Sequence, residues 1–205
     1  MGTRVPVSRD LKSTVAQVIA FRYAVGVDTY EAFERAIQST AGVVKGIEPG
    51  QMGDPTPCTE WDVRALLDHI VDTLWFAHAS FSNEAPRRAA GSDLSAAYEE
   101  AAAAALAAAG RDGALTASYD TPLGAMPGPA LAGFTTLDVF VHGWDAAKAT
   151  GQRRDLDPEL ASHVLAFAEL AFTQETRQFK LGPPVAVPED APVLDRLVAY
   201  LGRRP

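Results

Sequence analysis

The feature that most constrains the fold is a long, nearly all-apolar segment between Pro129 and Thr150. Pro129 suits the first turn of a helix, and Gly151 stands where the helix is expected to end. A helix that is apolar on most of its faces has to be covered by neighbouring elements. The segment therefore predicts a helix from Pro129 to about Thr150 that is buried inside the molecule.

This apolar helix carries one carboxylate and one imidazole, Asp138 and His142, four residues apart. Positions i and i+4 lie on the same face of a helix, so both side chains can point at one spot. Neither group tolerates dry burial without a polar partner. A bound metal ion would satisfy both groups, and so would a simple hydrogen bond between them. At this point the pattern leaves both interpretations open.

Other segments with helical spacing of apolar residues surround this one. Asp28 is a candidate N-cap for the first of them, and Gly46 a candidate stop. Thr59 to Asp62 resembles a capping box that opens the second helix. The predicted helices after Asp28 cover residues 28–45, 60–80, 94–109, 129–150 and 158–177, with a short amphipathic helix at residues 194–201.

The order of these segments predicts an all-α fold. Residues 111–129 are predicted to be a loop with room for one short extended piece, and the chain shows neither βαβ alternation nor an internal repeat. Four or five helices of bundle length joined by loops favour a four-helix bundle with additional short helices at the termini. We expect an N-terminal extension over residues 1–27, with a loose helix near residues 9–23, and one helical domain over residues 28–205.

Composition excludes several classes of protein. A net charge of −8 argues against nucleic-acid or anionic-membrane binding, because both require a basic surface. The chain has no apolar run long enough to span a bilayer and no convincing signal peptide. The single cysteine, Cys58, rules out an intrachain disulfide, which fits a reducing cytoplasm. We therefore expect a cytoplasmic protein. The sequence leaves its oligomeric state open between a monomer and a homodimer.

The four histidines differ in their expected surroundings. His69 lies on or beside the apolar face of the second helix, whereas His78, nine residues later, points to the opposite side. His163 is predicted to be a surface residue. His69 is therefore the candidate to join Asp138 and His142. Three protein ligands would leave a metal with an open coordination position, whereas structural zinc sites are normally closed by four.

The remaining polar and aromatic candidates carry weaker signals. Asp72 and Asp145 lie one turn beyond His69 and His142, and each either fixes the tautomer of that imidazole or is a cap or surface carboxylate. Cys58 is expected to be a buried, unreactive residue. The three tryptophans are expected in the core or in a pocket wall. No catalytic triad, phosphate loop or dinucleotide motif is present.

Two motifs carry a resemblance to a known family. PTPCTEWDVRALLDH over residues 55–69 and LDVFVHGWD over residues 137–145 resemble the signatures of mycothiol-dependent maleylpyruvate isomerase-like metal-binding proteins, which belong to the DinB-like superfamily of four-helix bundles. The tail, from GPPV at residues 182–185 to Leu197, is also similar. The resemblance covers about residues 28–203.

The resemblance implies a ligand set, a metal and a class of chemistry. It places a divalent metal on His69, Asp138 and His142, with zinc as the first choice and nickel, iron or manganese as alternatives. The isomerase has a glutamate at the position of Asp138, and it has a separate C-terminal domain where this chain has a short tail. Maleylpyruvate is therefore not implied as the substrate.

The resulting hypothesis is a metal-dependent S-transferase or isomerase that uses a low-molecular-weight thiol, such as mycothiol, on a small electrophile. Coordination to a cation would favour the thiolate, which would attack an electrophilic carbon. No general acid or base is identified. The alternatives are a non-catalytic metal- or ligand-binding stress-response protein and, less favoured, metal-assisted hydrolysis.

Overall fold

The structure is a computed structural model of the 205-residue chain, and it describes residues 27–85, 87, 93–122, 124–154, 156–172 and 181–205. The predicted N-terminal extension, including the helix expected near residues 9–23, lies outside the described residues except for Val27. Six α-helices are described: α1 (Thr29–Lys45), α2 (Val63–Ser82), α3 (Leu94–Ala109), α4 (Gly128–Ala149), α5 (Pro158–Ala171) and α6 (Val193–Tyr200).

Aspartates begin four of these helices by accepting backbone N–H groups that have no partner in the first turn. Asp28 caps α1 and Gly46 ends it, which confirms both predicted ends. The predicted capping box at Thr59 is wrong, because Asp62 has extended backbone angles and its side chain accepts the N–H of Ala65 at 2.8 Å. Helix α2 therefore begins at Val63, and the residues before it belong to a connecting loop.

The connection between α3 and α4 contains more structure than its sequence predicted. A short 3-10 turn (Ala114–Thr116) leads into an antiparallel hairpin of β1 (Ser118–Thr121) and β2 (Gly124–Pro127), in which Ser118 pairs with Pro127. Gly128 then starts α4 against the 3-10 turn, where a Cβ would lie 2.5 Å from the carbonyl oxygen of Ala114. The single extended piece that was expected is therefore a two-stranded ribbon.

Helices α1 to α4 form a four-helix bundle in which α1 and α2 each pack against α3 and α4. Helices α5 and α6 pack together and cover the outer side of α1 and α4. Helix α4 consequently contributes to two apolar cores, with Val139 and Ala146 in the first and Phe140 and Trp144 in the second. Burial on both sides explains why this helix is almost entirely apolar, and the predicted all-α bundle is confirmed.

A close contact between α1 and α4 sets the position of the candidate site. Gly143 lies against Thr40, and a Cβ at this glycine would be only 2.4 Å from the Thr40 hydroxyl oxygen. That hydroxyl donates a hydrogen bond of 3.0 Å to the carbonyl oxygen of Val139. The glycine next to His142 therefore allows the two helix backbones to approach closely.

Helices α5 and α6 form the second layer of the molecule, and two predictions for this layer are wrong. Helix α5 ends at Ala171 because Phe172 has non-helical angles, φ −118° and ψ 78°, and residues 173–177 of the predicted helix lie outside the described residues. His163 is buried, with 8% of its surface exposed, so the prediction of a surface residue is wrong. Helix α5 is covered by α1, α4 and α6, which leaves little of it facing solvent.

Within the described residues, no helix combines the length and the apolar character needed to cross a membrane.

Candidate metal centre

The three side chains predicted as ligands meet between α2 and α4. His69 on α2 points its Nε2 at the carboxylate of Asp138 on α4, at 3.1 Å from Oδ1 and 3.2 Å from Oδ2. The Nε2 of His142, one turn further along α4, lies 3.8 Å from Asp138 Oδ2. One ligand atom from each of the three residues lies within 4.8 Å of the others.

The dimensions and chemistry of this cluster suit a small divalent cation. Nitrogen and oxygen ligands about 2.0–2.1 Å from a tetrahedral zinc ion lie roughly 3.3–3.4 Å from one another. The distances of 3.1 to 3.8 Å around Asp138 bracket that value. Two imidazoles and one carboxylate also form a donor set that zinc, nickel, iron and manganese accept. The residues present therefore fit a metal with three protein ligands.

Asp138 is held in place by neighbours on both helices. The hydroxyl of Thr73, one turn beyond His69 on α2, donates a hydrogen bond of 3.1 Å to Asp138 Oδ1. Burial would raise the pKa of Asp138, but the hydrogen bond from His69 and the nearby charge of His142 outweigh it and hold the pKa below its ordinary value. The group is therefore an ionised carboxylate at neutral pH.

The pKa of His69 moves in the opposite direction. Burial would lower it, but the hydrogen bond and charge of Asp138, with a smaller contribution from Asp72, leave it above its ordinary value. The side chains of His69 and Asp138 are 32% and 30% exposed, whereas that of His142 is 11% exposed. The cluster thus opens to solvent on the side of His69 and Asp138.

The loop before α2 forms an aromatic wall beside the cluster. The ring centroid of Trp61 lies 4.6 Å from that of His69 and 5.7 Å from that of His142. Thr56 holds the loop closed, because its hydroxyl lies 2.8 Å from the carbonyl oxygen of Trp61 and accepts the N–H of Cys58 at 3.1 Å. Trp61 is therefore a wall residue, whereas Trp75 and Trp144 are buried in the two cores.

A second polar cluster lies on the other side of the His142 ring. The carboxylate of Asp145, which is fully buried, lies 2.9 Å from His142 Nδ1 and accepts a hydrogen bond of 2.8 Å from the guanidinium of Arg203. Burial would raise the pKa of Asp145, but the hydrogen bonds from His142 and Arg203 lower it below its ordinary value. Of the two interpretations of Asp145, its position supports a role in orienting the imidazole.

Cys58 is the third side chain of this second cluster, beside Asp145 and His142. Its thiol donates to Asp145 Oδ2 at 3.4 Å and lies 3.8 Å from His142 Nδ1. Burial, reinforced by the charge of Asp145, raises the pKa of the thiol to about 12. Cys58, His142 and Asp145 are also close enough to hold a metal, but Arg203 already supplies a positive charge there. A cation is therefore favoured at the Asp138 side of His142.

The other sequence candidates lie apart from the site. Asp72 is exposed and acts on His69 through its charge alone. His78 contacts the carbonyl oxygen of Ala104 on α3, which confirms that it points away from His69. His163 belongs to the second apolar layer between α5 and its neighbours.

Two residues that contact the site were absent from the sequence prediction. Thr73 lies four residues after His69, so the i+4 rule that paired Asp138 with His142 would have found it. Arg203 lies 58 residues beyond Asp145 in the tail, and no local pattern connects the two.

Comparison with known proteins places this chain in a family. The family model of the mycothiol maleylpyruvate isomerase N-terminal domain matches residues 33–147, a range that contains all three candidate ligands. Two proteins of Mycobacterium tuberculosis, the uncharacterized proteins MT0763 and Rv0738, are each 38% identical over 186 residues, which cover 86% of this chain and 98% of each relative. No solved structure matches. The chain therefore belongs to the mycothiol maleylpyruvate isomerase N-terminal domain family, within the DinB-like superfamily.

Proposed function

We propose that this protein binds a divalent metal and uses a low-molecular-weight thiol of the mycothiol type either to form a thiol adduct of a small electrophile, as an S-transferase, or to isomerise that electrophile. One observation carries the proposal. Two imidazoles and one carboxylate converge from two helices at a partly exposed position, and no arginine or lysine of the described residues forms an ion pair with Asp138. The family supports the thiol, since its name links this domain to mycothiol.

The proposed ligands are His69 Nε2, a carboxylate oxygen of Asp138 and His142 Nε2. Thr73 hydrogen-bonds Oδ1 of Asp138, whereas Oδ2 faces His142 without a hydrogen bond from that ring at 3.8 Å. Oδ2 is therefore the oxygen better placed to bind the cation. Zinc is the first choice for this set, and three protein ligands leave a position for another molecule.

A divalent cation bound here would supply a positive charge that favours the thiolate form of a small thiol. The thiol has to come from outside the chain. Cys58, the only cysteine, has a pKa raised to about 12, and its sulfur lies near Nδ1 of His142, on the side of the ring away from Asp138. At neutral pH it is a protonated hydrogen-bond donor to Asp145.

Trp61 supplies the remaining element of the proposed site. Its indole packs against both imidazoles and is half-buried, so one part of its surface is available to a bound molecule. An aromatic wall beside a polar cluster gives a small ligand an apolar surface to pack on and reduces the access of water. We expect Trp61 to contact the thiol or the electrophile.

The proposal is tested by measuring metal content and thiol chemistry on the same preparation. The full chain is purified without a metal-chelating tag, analysed for bound elements, and assayed with mycothiol, bacillithiol or glutathione and an electrophile such as an unsaturated dicarboxylic acid. We expect thiol consumption or isomer formation above the rate of the metal-free protein. His69→Gln should abolish this activity, and His78→Gln, on the same helix but away from the cluster, should retain it.

Two results would contradict the proposal. The absence of thiol consumption and isomer formation above the metal-free rate with all three thiols would exclude the thiol chemistry. If a chelator then lowered the melting temperature strongly and no small molecule bound, the metal would be stabilising a non-catalytic protein, which is the alternative function.

A further inference from the structure

The last residues of the chain turn back toward the bundle after α6. Gly202 has φ of +87°, a left-handed conformation, and a Cβ at this position would lie 3.2 Å from the backbone of Gly182. The turn is closed by a hydrogen bond of 2.9 Å from the N–H of Arg203 to the carbonyl oxygen of Val198. This geometry directs the side chain of Arg203 inward, where it is 12% exposed.

Inside the protein, the guanidinium of Arg203 contacts the polar cluster behind His142. Its Nη2 donates to Asp145 Oδ2 at 2.8 Å, and its Nε lies 3.3 Å from each oxygen of that carboxylate. Nη2 also lies 3.5 Å from Cys58 Sγ, and Nη1 donates to the carbonyl oxygen of Leu201 at 3.1 Å. Arg203 is thus the positive partner of a carboxylate that has no exposed surface.

These contacts determine which nitrogen of His142 carries hydrogen. A guanidinium group can only donate hydrogen bonds, so the Asp145 oxygens facing it are acceptors. The 2.9 Å contact between Asp145 Oδ2 and His142 Nδ1 then requires hydrogen on Nδ1. In the neutral ring, Nε2 is left with a free lone pair, and Nε2 is the atom that faces Asp138.

We infer that Arg203 is a positioning residue of the proposed metal centre, which acts through Asp145 to hold His142 with Nε2 free for a metal. The inference rests on the proposed metal centre and deepens it, because it assigns a role to the C-terminal tail. The family match covers residues 33–147, so Arg203 lies outside the matched range that contains the three candidate ligands. Arg203, which follows α6, therefore supports a site whose ligands lie on α2 and α4 of the four-helix bundle.

The experiment compares three variants of the full chain, Arg203→Met, Arg203→Lys and Arg35→Met. Arg203→Met removes the charge but keeps much of the apolar stem, and Arg203→Lys restores a charge with fewer directed donors. Arg35→Met is the matched control, because Arg35 forms a similar pair with Asp157 at the start of α5, away from His142. Zinc affinity is measured by competition with a chromophoric chelator, and the His142 tautomer by nitrogen-15 NMR of the metal-free protein.

We expect Arg203→Met to lower zinc affinity by about 10- to 100-fold, the usual effect of losing a group that orients a ligand. His142 should change from a single Nδ1–H tautomer to a mixture. Arg203→Lys should recover part of the affinity, and Arg35→Met should leave both the affinity and the tautomer unchanged. A tautomer change is an effect that loss of stability alone would not produce.

The inference is overturned if Arg203→Met binds zinc as tightly as the wild type with an unchanged tautomer, or if Arg35→Met weakens binding equally. Should Arg203→Met not fold, Arg203→Lys and the wild-type tautomer decide the question, and an Nε2–H tautomer in the wild type would overturn the inference. If the wild type binds no divalent metal, the proposed function fails, and the tautomer measurement still tests the action of Arg203 on His142.

Discussion

His142 faces a carboxylate on each side of its ring, and the two carboxylates differ in how they are neutralised. On the Nδ1 side, Asp145 is fully buried and paired with the guanidinium of Arg203. On the Nε2 side, Asp138 is 30% exposed, and its side-chain contacts among the described residues are with two imidazoles and the hydroxyl of Thr73. Both acids belong to the same helix, seven residues apart.

The difference separates a structural site from a candidate binding site. A buried carboxylate requires a counter-charge, and Arg203 supplies one permanently behind His142. On the Nε2 side, a histidine supplies a positive charge only when it is protonated, so a bound metal can take its place. The two sides therefore predict different main responses to substitution. Behind the ring the main loss is of stability, with an indirect loss of metal affinity through His142, and in front of it the loss is of metal binding itself.

The largest expected effect is on the Nδ1 side. Asp145→Ala leaves the Arg203 guanidinium buried without its carboxylate and should lower the free energy of unfolding by about 3–5 kcal/mol. Urea unfolding of the metal-free protein measures this loss. Arg35→Met removes ion pairs with three partly or largely exposed carboxylates, those of Asp157, Glu31 and Glu159, and should cost only about 1 kcal/mol. Equal losses of unfolding free energy in the two variants would show that the buried pair of Asp145 and Arg203 stabilises the protein no more than an exposed pair does.

The next effect is on the Nε2 side and should appear in metal affinity. Asp138→Asn keeps the shape and the hydrogen-bonding capacity toward Thr73 but removes the charge. We expect zinc affinity to fall on the order of 100-fold, about 3 kcal/mol of binding free energy. The free energy of unfolding of the metal-free protein should change by only about 1 kcal/mol, because this pair is partly exposed.

Asp72→Asn provides the control for this substitution. Asp72 is an exposed carboxylate that acts on His69 only through its charge, so its loss should change zinc affinity no more than a few-fold, about 1 kcal/mol or less. Competition titrations on both variants make the comparison. If the two variants bind zinc equally well, Asp138 is not a ligand and the distinction between the two sides of His142 fails.

The smallest expected effect is on the pH dependence of stability and comes from the protonation of His163. Burial, with a smaller effect of the positive Arg35, lowers the pKa of His163 below its ordinary value of 6.5. Below pH 6.5 the unfolded chain gains a proton that the folded protein takes up only at lower pH, so the folded state loses stability as the pH falls. Between the folded and unfolded pKa values of His163, the free energy of unfolding falls by about 1.4 kcal/mol per pH unit.

Substitution of His163 separates this effect from the metal centre. In the presence of a chelator, the wild type should lose more stability between pH 7.5 and pH 5.5 than His163→Gln does. Urea unfolding at the two pH values gives both slopes. Identical slopes would assign the acid sensitivity to other groups, including the histidines at the cluster.

Much of the bundle and the proposed ligand set were predictable because they depend on local patterns. The spacing of apolar residues marks α1 and α2, since a helix repeats its faces every three to four residues. The Ala-rich run marks α3 by its helix propensity, and the apolar segment between Pro129 and Gly151 marks α4. The same spacing places Asp138 and His142 on one face of a buried helix. The motif ending at His69 resembles the family that the match over residues 33–147 confirms. These features are determined by short windows of sequence and by family membership.

The remaining features depend on contacts between distant parts of the chain. Thr59 and Asp62 are both residue types that suit the start of a helix. In the structure Asp62 is the N-cap, and the residues before it form a loop in which the hydroxyl of Thr56 hydrogen-bonds the carbonyl oxygen of Trp61. His163 is buried because other helices cover α5. The sequence around His163 alone does not reveal these helices. Arg203 reaches Asp145 across 58 residues because α6 packs on α5 and Gly202 reverses the chain. Local periodicity places a charged group on a helix face, whereas packing selects the partner that neutralises it.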